Sequence, residues 1–189
     1  MGPDGGSVLS LAASPGIEPE RIVLAGTDGG GLYRSSDRGQ TWLRAPGLPT
    51  DLAISSVAVS PRFDDEKAVY VASRGSGVMR SGDGGETWTT RSDGLTTSAV
   101  GELVLSPSFG SDQIALVATD RGLFRSNNAG KLWAPVGPVI SALSVAFGPA
   151  GSGSAGGLAA FGGTVVGLYT STDSGRTWSA SSLSGRPVT

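Results

Sequence analysis

The chain has 189 residues, a net charge of −2, and neither cysteine nor histidine. That composition excludes a disulfide framework, a thiolate or imidazole metal site, and any Ser-His-Asp or Cys-His catalytic arrangement within the chain. The weak negative charge predicts no nucleic-acid partner and no attraction to anionic lipid.

Glycine is the compositional outlier, with 31 residues, about 16% where about 7% is usual. The glycines are spread among short apolar runs, which predicts many tight turns rather than a disordered chain. The first residues carry no basic region and only a short apolar stretch, so they do not read as a signal peptide. No apolar run reaches the length of a membrane-spanning helix. The compartment is left open by these features; a segment excised from a larger protein is expected to be exported.

In chain order, the first unit spans about residues 7–47. It opens with an apolar run at Ser7-Val8-Leu9, which ends at Ser14-Pro15, and continues with Val23-Leu24-Ala25. It closes on Gly31-Leu-Tyr-Arg-Ser-Ser-Asp-Arg-Gly-Gln-Thr-Trp42. The second unit, about 52–94, has Ile54–Ser60 before Pro61, then Ala68–Ala72, then Gly77-Val-Met-Arg-Ser-Gly-Asp-Gly-Gly-Glu-Thr-Trp88. The third, about 98–137, has Val100–Ser106 before Pro107, Ile114–Ala118, and Gly122-Leu-Phe-Arg-Ser-Asn-Asn-Ala-Gly-Lys-Leu-Trp133. The fourth, about 139–182, has Gly148-Pro149, Leu158-Ala159-Ala160, and Gly167-Leu-Tyr-Thr-Ser-Thr-Asp-Ser-Gly-Arg-Thr-Trp178.

The four tryptophans are spaced 46, 45 and 45 residues apart. A fixed period of this size marks a repeat architecture. Each unit reads as four short strands, A to D, bounded by Gly, Pro, Asp and Ser, with no amphipathic helix. Proline ends strand A because it has no N–H to donate and forces its predecessor extended. Strand B is almost continuously apolar, so both of its faces are covered. The expected fold is therefore all-β: four tandem antiparallel four-stranded blades, each covered by its neighbours, as in a β-propeller.

Between strands C and D lies Ser35-x-Asp37-x-Gly39-x-Thr41-Trp42. Ser81, Asp83, Gly85, Thr87 and Trp88 repeat it, as do Ser171, Asp173, Gly175, Thr177 and Trp178. The third copy keeps Ser126, Gly130 and Trp133 but has Asn128 for the Asp and Leu132 for the Thr. The spacing suits a tight turn. A carboxylate accepts backbone N–H groups just ahead of it, Gly supplies the positive φ, and Trp returns to the sheet with a large ring. A residue repeated in register answers a repeated structural need, so these boxes are assigned to hairpin stapling, not to metal or substrate binding. The same assignment covers Arg34, Arg80 and Arg125, each one residue before the box serine.

These boxes resemble the Asp-box, or BNR repeat, of propellers such as sialidases, xyloglucan-cleaving glycoside hydrolases, sortilin-type receptors and photosystem II assembly factors. The chain lacks the Arg-Ile-Pro of sialidases, and Tyr33 and Tyr169 occupy a repeat slot, so neither reads as a nucleophile. The texture is closer to the xyloglucanases, yet no catalytic carboxylate pair stands out. Asp28 and Asp120 are the nearest to one.

Strand parity puts the boxes on the face opposite the B–C and D–A loops. Propeller ligands usually sit over the channel on the latter face, by analogy of fold. The B–C loops differ among copies, which makes Asp28, Arg74, Asp120 and Arg121 the candidate ligand contacts. Asp64-Asp65-Glu66, in an A–B loop, is weighed as a calcium site, but adjacent acids without alternating ligand spacing fit a solvated loop better. No metal and no cofactor is expected. The expected function is non-catalytic binding or scaffolding of a protein or glycan, with an Asp-box glycoside hydrolase segment as the alternative. Residues 1–189 are expected to form a single four-blade propeller domain or a propeller segment; four blades can close into a small propeller, whereas in an open arc they would expose two apolar faces. The expected remedy is a second copy joined head to tail, giving an eight-bladed ring, or the blades of a larger propeller.

Overall fold

The computed structural model describes residues 6–15, 21–149 and 156–182. Blade 1 comprises β1 (Val8–Ala13), β2 (Val23–Thr27), β3 (Leu32–Ser35) and β4 (Leu43–Arg44). Blade 2 comprises β5 (Ile54–Val59), β6 (Val69–Ser73), β7 (Gly77–Ser81) and β8 (Thr89–Thr90). Blade 3 comprises β9 (Val100–Leu105), β10 (Ala115–Thr119), β11 (Gly122–Ser126) and β12 (Ala134–Val136). Blade 4 comprises β13 (Ala142–Phe147), β14 (Ala160–Thr164), β15 (Gly167–Ser171) and β16 (Ser179–Ala180). Each blade is an antiparallel meander with its strands in sequence order, and no sheet closes into a barrel.

The inner strands share one register. A bulge follows the first residue of β1, β5, β9 and β13, where Val8, Ile54, Val100 and Ala142 pair with Thr27, Ser73, Thr119 and Thr164. The bulge adds one residue and bends the strand where it reaches the B–C loop face.

The core lies between blades, in three clusters. Leu24 and Leu32 of blade 1 meet Ile54, Val57, Val69 and Val71 of blade 2. Tyr70 and Val78 of blade 2 meet Val100, Leu103, Val117 and Phe124 of blade 3. Leu116 and Leu123 of blade 3 meet Ala142, Val145 and Ala160 of blade 4. The second strand of a blade thus buries alternate residues against opposite neighbours, which is why it is apolar without alternation.

Two expectations are corrected. In blade 4 the second strand is Ala160–Thr164, not Leu158–Ala160, and its turn is Val165-Val166. Gly162 and Gly163 are strand residues because nothing larger fits: a Cβ would lie 2.7 Å from Leu123 Cδ1 and 2.5 Å from Ser144 Oγ, respectively.

Helix is also present. The A–B loops of blades 2 and 3 contain single turns α1 (Phe63–Glu66) and α2 (Phe109–Asp112). The serine before each proline organises them: buried Ser60 donates to Glu66 Oε2 at 2.9 Å, and Ser106 to Asp112 Oδ2 at 2.6 Å. Phe63 and Phe109 are buried beneath, the latter edge-on to Tyr70 at 5.6 Å between ring centroids.

The box tryptophans are buried to different degrees. Trp133 is 2% exposed, whereas Trp42, Trp88 and Trp178 are half-buried.

Candidate functional site

Three of the four B–C turns are built alike; in blade 2, Ser73 Oγ instead accepts the Gly75 N–H at 3.3 Å. Thr27, Thr119 and Thr164 are buried, and each donates its hydroxyl to a carbonyl across the turn, Gly31, Gly122 and Gly167, at 2.8 Å. With the turn base fixed, the tip residues project into solvent. Asp28, Arg74, Asp120 and Arg121 are all exposed.

Arg74 and Asp120 come together on one hollow of about 430 Å³, also lined by Gly101, Ser141 and Leu143. Asp28 and Arg121 lie outside it. The hollow holds one cation and one anion, a dipolar arrangement rather than a field of one sign.

Gly101 and Leu143 also border a larger groove of about 660 Å³, so hollow and groove are contiguous. The groove runs over all four inner strands and is lined by leucines and valines interleaved with Ser10, Ser55, Ser56, Ser144 and Glu102. Its walls are hydrogen-bonded across blades: Glu102 Oε2 accepts the Val145 N–H at 2.7 Å, and Ser55 Oγ donates to the Val100 carbonyl at 2.6 Å. Ser10 Oγ is buried on this wall with no partner. Sequence reasoning missed Glu102. The available signal is its register column, where the equivalents are Ser10, Ser56 and Ser144 and it alone carries charge.

The four box turns are structural in their bonding. In blade 1, Ser35 donates to Asp37 Oδ1 at 2.8 Å and accepts the Gly39 N–H at 2.8 Å. Asp37 also accepts the Thr41 N–H and hydroxyl. Asp83 and Asp173 repeat these contacts with Thr87 and Thr177.

Bonds from Thr41 and Ser35 lower the Asp37 carboxyl to about 2. Bonds from Ser81 and Thr87 lower Asp83 further. For Asp173 burial pushes upward, but the Thr177 and Ser171 bonds outweigh it and leave the group at about 2. Asn128 keeps the bonds from Ser126 and the Leu132 N–H, at 2.9 and 3.0 Å, without charge. The carboxylates are thus occupied by their own turns.

The arginines before the boxes bind neighbouring protein. Arg34 pairs with Glu86 of blade 2 at 3.3 Å, Arg80 donates to Tyr70 Oη at 3.1 Å, and Arg125 to the Ser174 carbonyl of blade 4 at 2.8 Å. Asp64, Asp65 and Glu66 belong to α1, where Asp65 pairs with Arg62 at 2.8 Å and Glu66 caps Ser60.

Among solved structures, the chain resembles the GH74 xyloglucanase of Xanthomonas campestris, with 27% identity and a TM-score of 0.72 over 97% of this chain and 31% of that one. It also resembles the GH74 enzyme of Niastella koreensis, with 20% identity and a TM-score of 0.71 over 98% of this chain and 31% of that one. A third similar structure is YCF48 bound to a D1 peptide, with 16% identity and a TM-score of 0.66 over 94% of this chain and 56% of that one. The chain thus spans about a third of the xyloglucanases it matches. No family model matches it, and no curated relative matches by sequence. Four antiparallel four-stranded sheets in this arrangement are blades of a β-propeller.

Proposed function

We propose that the chain is a non-catalytic binding module that takes an extended segment of a protein partner along its inner-strand groove. One observation carries this reading. The Arg74–Asp120 hollow opens directly into a groove where leucines and valines alternate with serine hydroxyls. An extended peptide presents the same mixture: backbone N–H and C=O groups along its length, with apolar side chains at intervals. Arg74 and Asp120 then fix orientation by pairing with charges of opposite sign on the partner, which favours specificity over bulk affinity. No aromatic ring lines the groove or the hollow among the described residues, so a sugar ring finds no flat apolar platform there. That favours a peptide over a glycan. YCF48, of similar fold, is seen with a bound peptide, which supports the same reading.

The alternative, a segment of an Asp-box glycoside hydrolase, is favoured by the 27% identity to a xyloglucanase. It requires paired carboxylates flanking a scissile bond, and Glu102 and Asp120 are the groups facing this region. Titration against an immobilised peptide library and against xyloglucan oligosaccharides separates the readings. We expect peptide ligands whose affinity falls about tenfold or more in Arg74→Glu and Asp120→Lys, with melting temperature unchanged. Release of aryl glycoside or cleavage of xyloglucan, abolished in Glu102→Gln, would overturn the binding reading in favour of hydrolysis.

A further inference from the structure

Glu102 carries the charge in the wall of the groove; every other described residue lining it is apolar, glycine or serine. Its strand, β9, is flanked on both sides, by β5 of blade 2 and β13 of blade 4. The same register position holds Ser10, Ser56 and Ser144 in the other blades.

The joint between blades does not need a carboxylate there. Ser56 Oγ accepts the Leu103 N–H of blade 3 at 3.1 Å, as Glu102 Oε2 accepts the Val145 N–H of blade 4 at 2.7 Å. Blades 1 and 2 pack without such a bond, since Ser10 Oγ has no partner. A hydroxyl, or apolar packing alone, therefore suffices, and the charge of Glu102 is left without a structural task. That charge is also costly. Glu102 is half-buried, accepts the one N–H through Oε2, and pairs with no Arg or Lys among the described residues. A carboxylate drawn partly out of water is unfavourable until a counter-charge is brought to it.

The sheet sets where that counter-charge would sit. Glu102 pairs with Ala118, and Asp120 stands two residues beyond Ala118, just past the strand end at Thr119. An extended segment leaving the hollow along this strand passes from Asp120 to Glu102 in about two residues, roughly 7 Å. Residues two apart in an extended chain point to the same side. Across hollow and groove, Glu102 and Asp120 set two anions against the one cation of Arg74.

We propose, resting on the peptide-binding reading above, that Glu102 determines the specificity of the groove. It takes a lysine or arginine side chain of the bound segment, two positions from the residue seated in the Arg74–Asp120 hollow and set among apolar neighbours. The ammonium or guanidinium pairs with Oε1, the oxygen that the Val145 N–H leaves open. An acidic residue at that position is rejected by repulsion, and an apolar one by leaving the carboxylate unpaired.

Selection of a short-peptide display library against the 189-residue chain tests the proposal, with the retained peptides then used as fluorescent probes in anisotropy titrations. We expect these peptides to share one lysine or arginine among apolar residues. Replacing it by glutamine should weaken binding about tenfold or more in the parent chain and leave it nearly unchanged in Glu102→Gln. Glu102→Gln keeps an oxygen for the Val145 N–H and should melt with the parent chain. Glu102→Ser, which installs the residue of the other three blades, should show the same loss and guards against a fold defect peculiar to glutamine. Two outcomes would overturn the role of Glu102: retained peptides without a shared basic residue, or a basic residue whose replacement costs as much in both Glu102 variants as in the parent chain. In either case the binding reading would stand if Arg74→Glu and Asp120→Lys still lowered affinity. Retention of no peptide would overturn both.

Discussion

The Trp133 indole N–H donates to the Arg91 carbonyl oxygen at 2.7 Å, joining the box turn of blade 3 to the outer edge of blade 2. The backbone follows the same route, since the Trp133 N–H donates to the Asp93 carbonyl at 2.8 Å. Gly94 allows this approach: its φ is +86°, and a Cβ there would lie 2.1 Å from the Trp133 oxygen. Trp133→Ala removes a ring that is 2% exposed and should cost about 3–5 kcal/mol. Trp133→Phe keeps most of the burial but loses the bond, and should cost about 1–2 kcal/mol. Trp88→Ala should cost less than Trp133→Ala, because Trp88 is half-buried. Chemical denaturation of the three variants checks the order.

The third box predicts what the second will tolerate. Asn128 keeps one side-chain oxygen on Ser126 and the Leu132 N–H. Asp83→Asn should therefore keep the bonds from Ser81 and Thr87 N–H and change stability by less than Asp83→Ala, which loses all of them and should cost about 1 kcal/mol in this exposed turn. Urea midpoints of the pair decide it, and a larger loss for Asn than for Ala would contradict the turn assignment.

Acid should destabilise the fold through the boxes. Asp37 and Asp173 sit at about 2 in the fold and Asp83 is lowered as well, whereas an unfolded Asp titrates near 3.9. A depressed folded value means the unfolded chain takes up protons first, so the contribution is complete above about pH 5 and is lost as pH falls through about 4 towards 2. Melting temperature should be flat from pH 7 to about 5 and then decline. Combining Asp37→Asn, Asp83→Asn and Asp173→Asn should flatten that decline.

Gln113 offers a stabilising change. It caps α2 with φ 52°, is exposed, and donates its backbone N–H to the Phe109 carbonyl at 2.9 Å. A side chain in this left-handed conformation costs about 1–2 kcal/mol, part of which glycine gives back as unfolded-state entropy. Gln113→Gly should raise stability by about 0.5–1 kcal/mol, read as an upward shift in melting temperature.

Much of this molecule is legible in its sequence because its information is local and repeated. The tryptophan period, the Ser-x-Asp-x-Gly turn and the continuously apolar second strand each follow from contacts within a few residues or from a neighbour identical in kind. The four meanders and their order needed nothing more. Other features were decided by contacts between units. Gly162 and Gly163 lie in a strand rather than a turn because Leu123 and Ser144 fill the space a side chain would need. Asp64, Asp65 and Glu66 form a helical turn because buried Ser60 and Phe63 hold it. Arg74 and Asp120, 46 residues apart in the chain, line one hollow because successive blades bring equivalent loops to one face, while Asp28, on the blade 1 loop, and Arg121, beside Asp120, lie outside it. A repeat specifies what each blade is and what its flank accepts. The packing from blade to blade, where Leu24, Tyr70 and Leu116 seat against the next sheet, decided which loops converge.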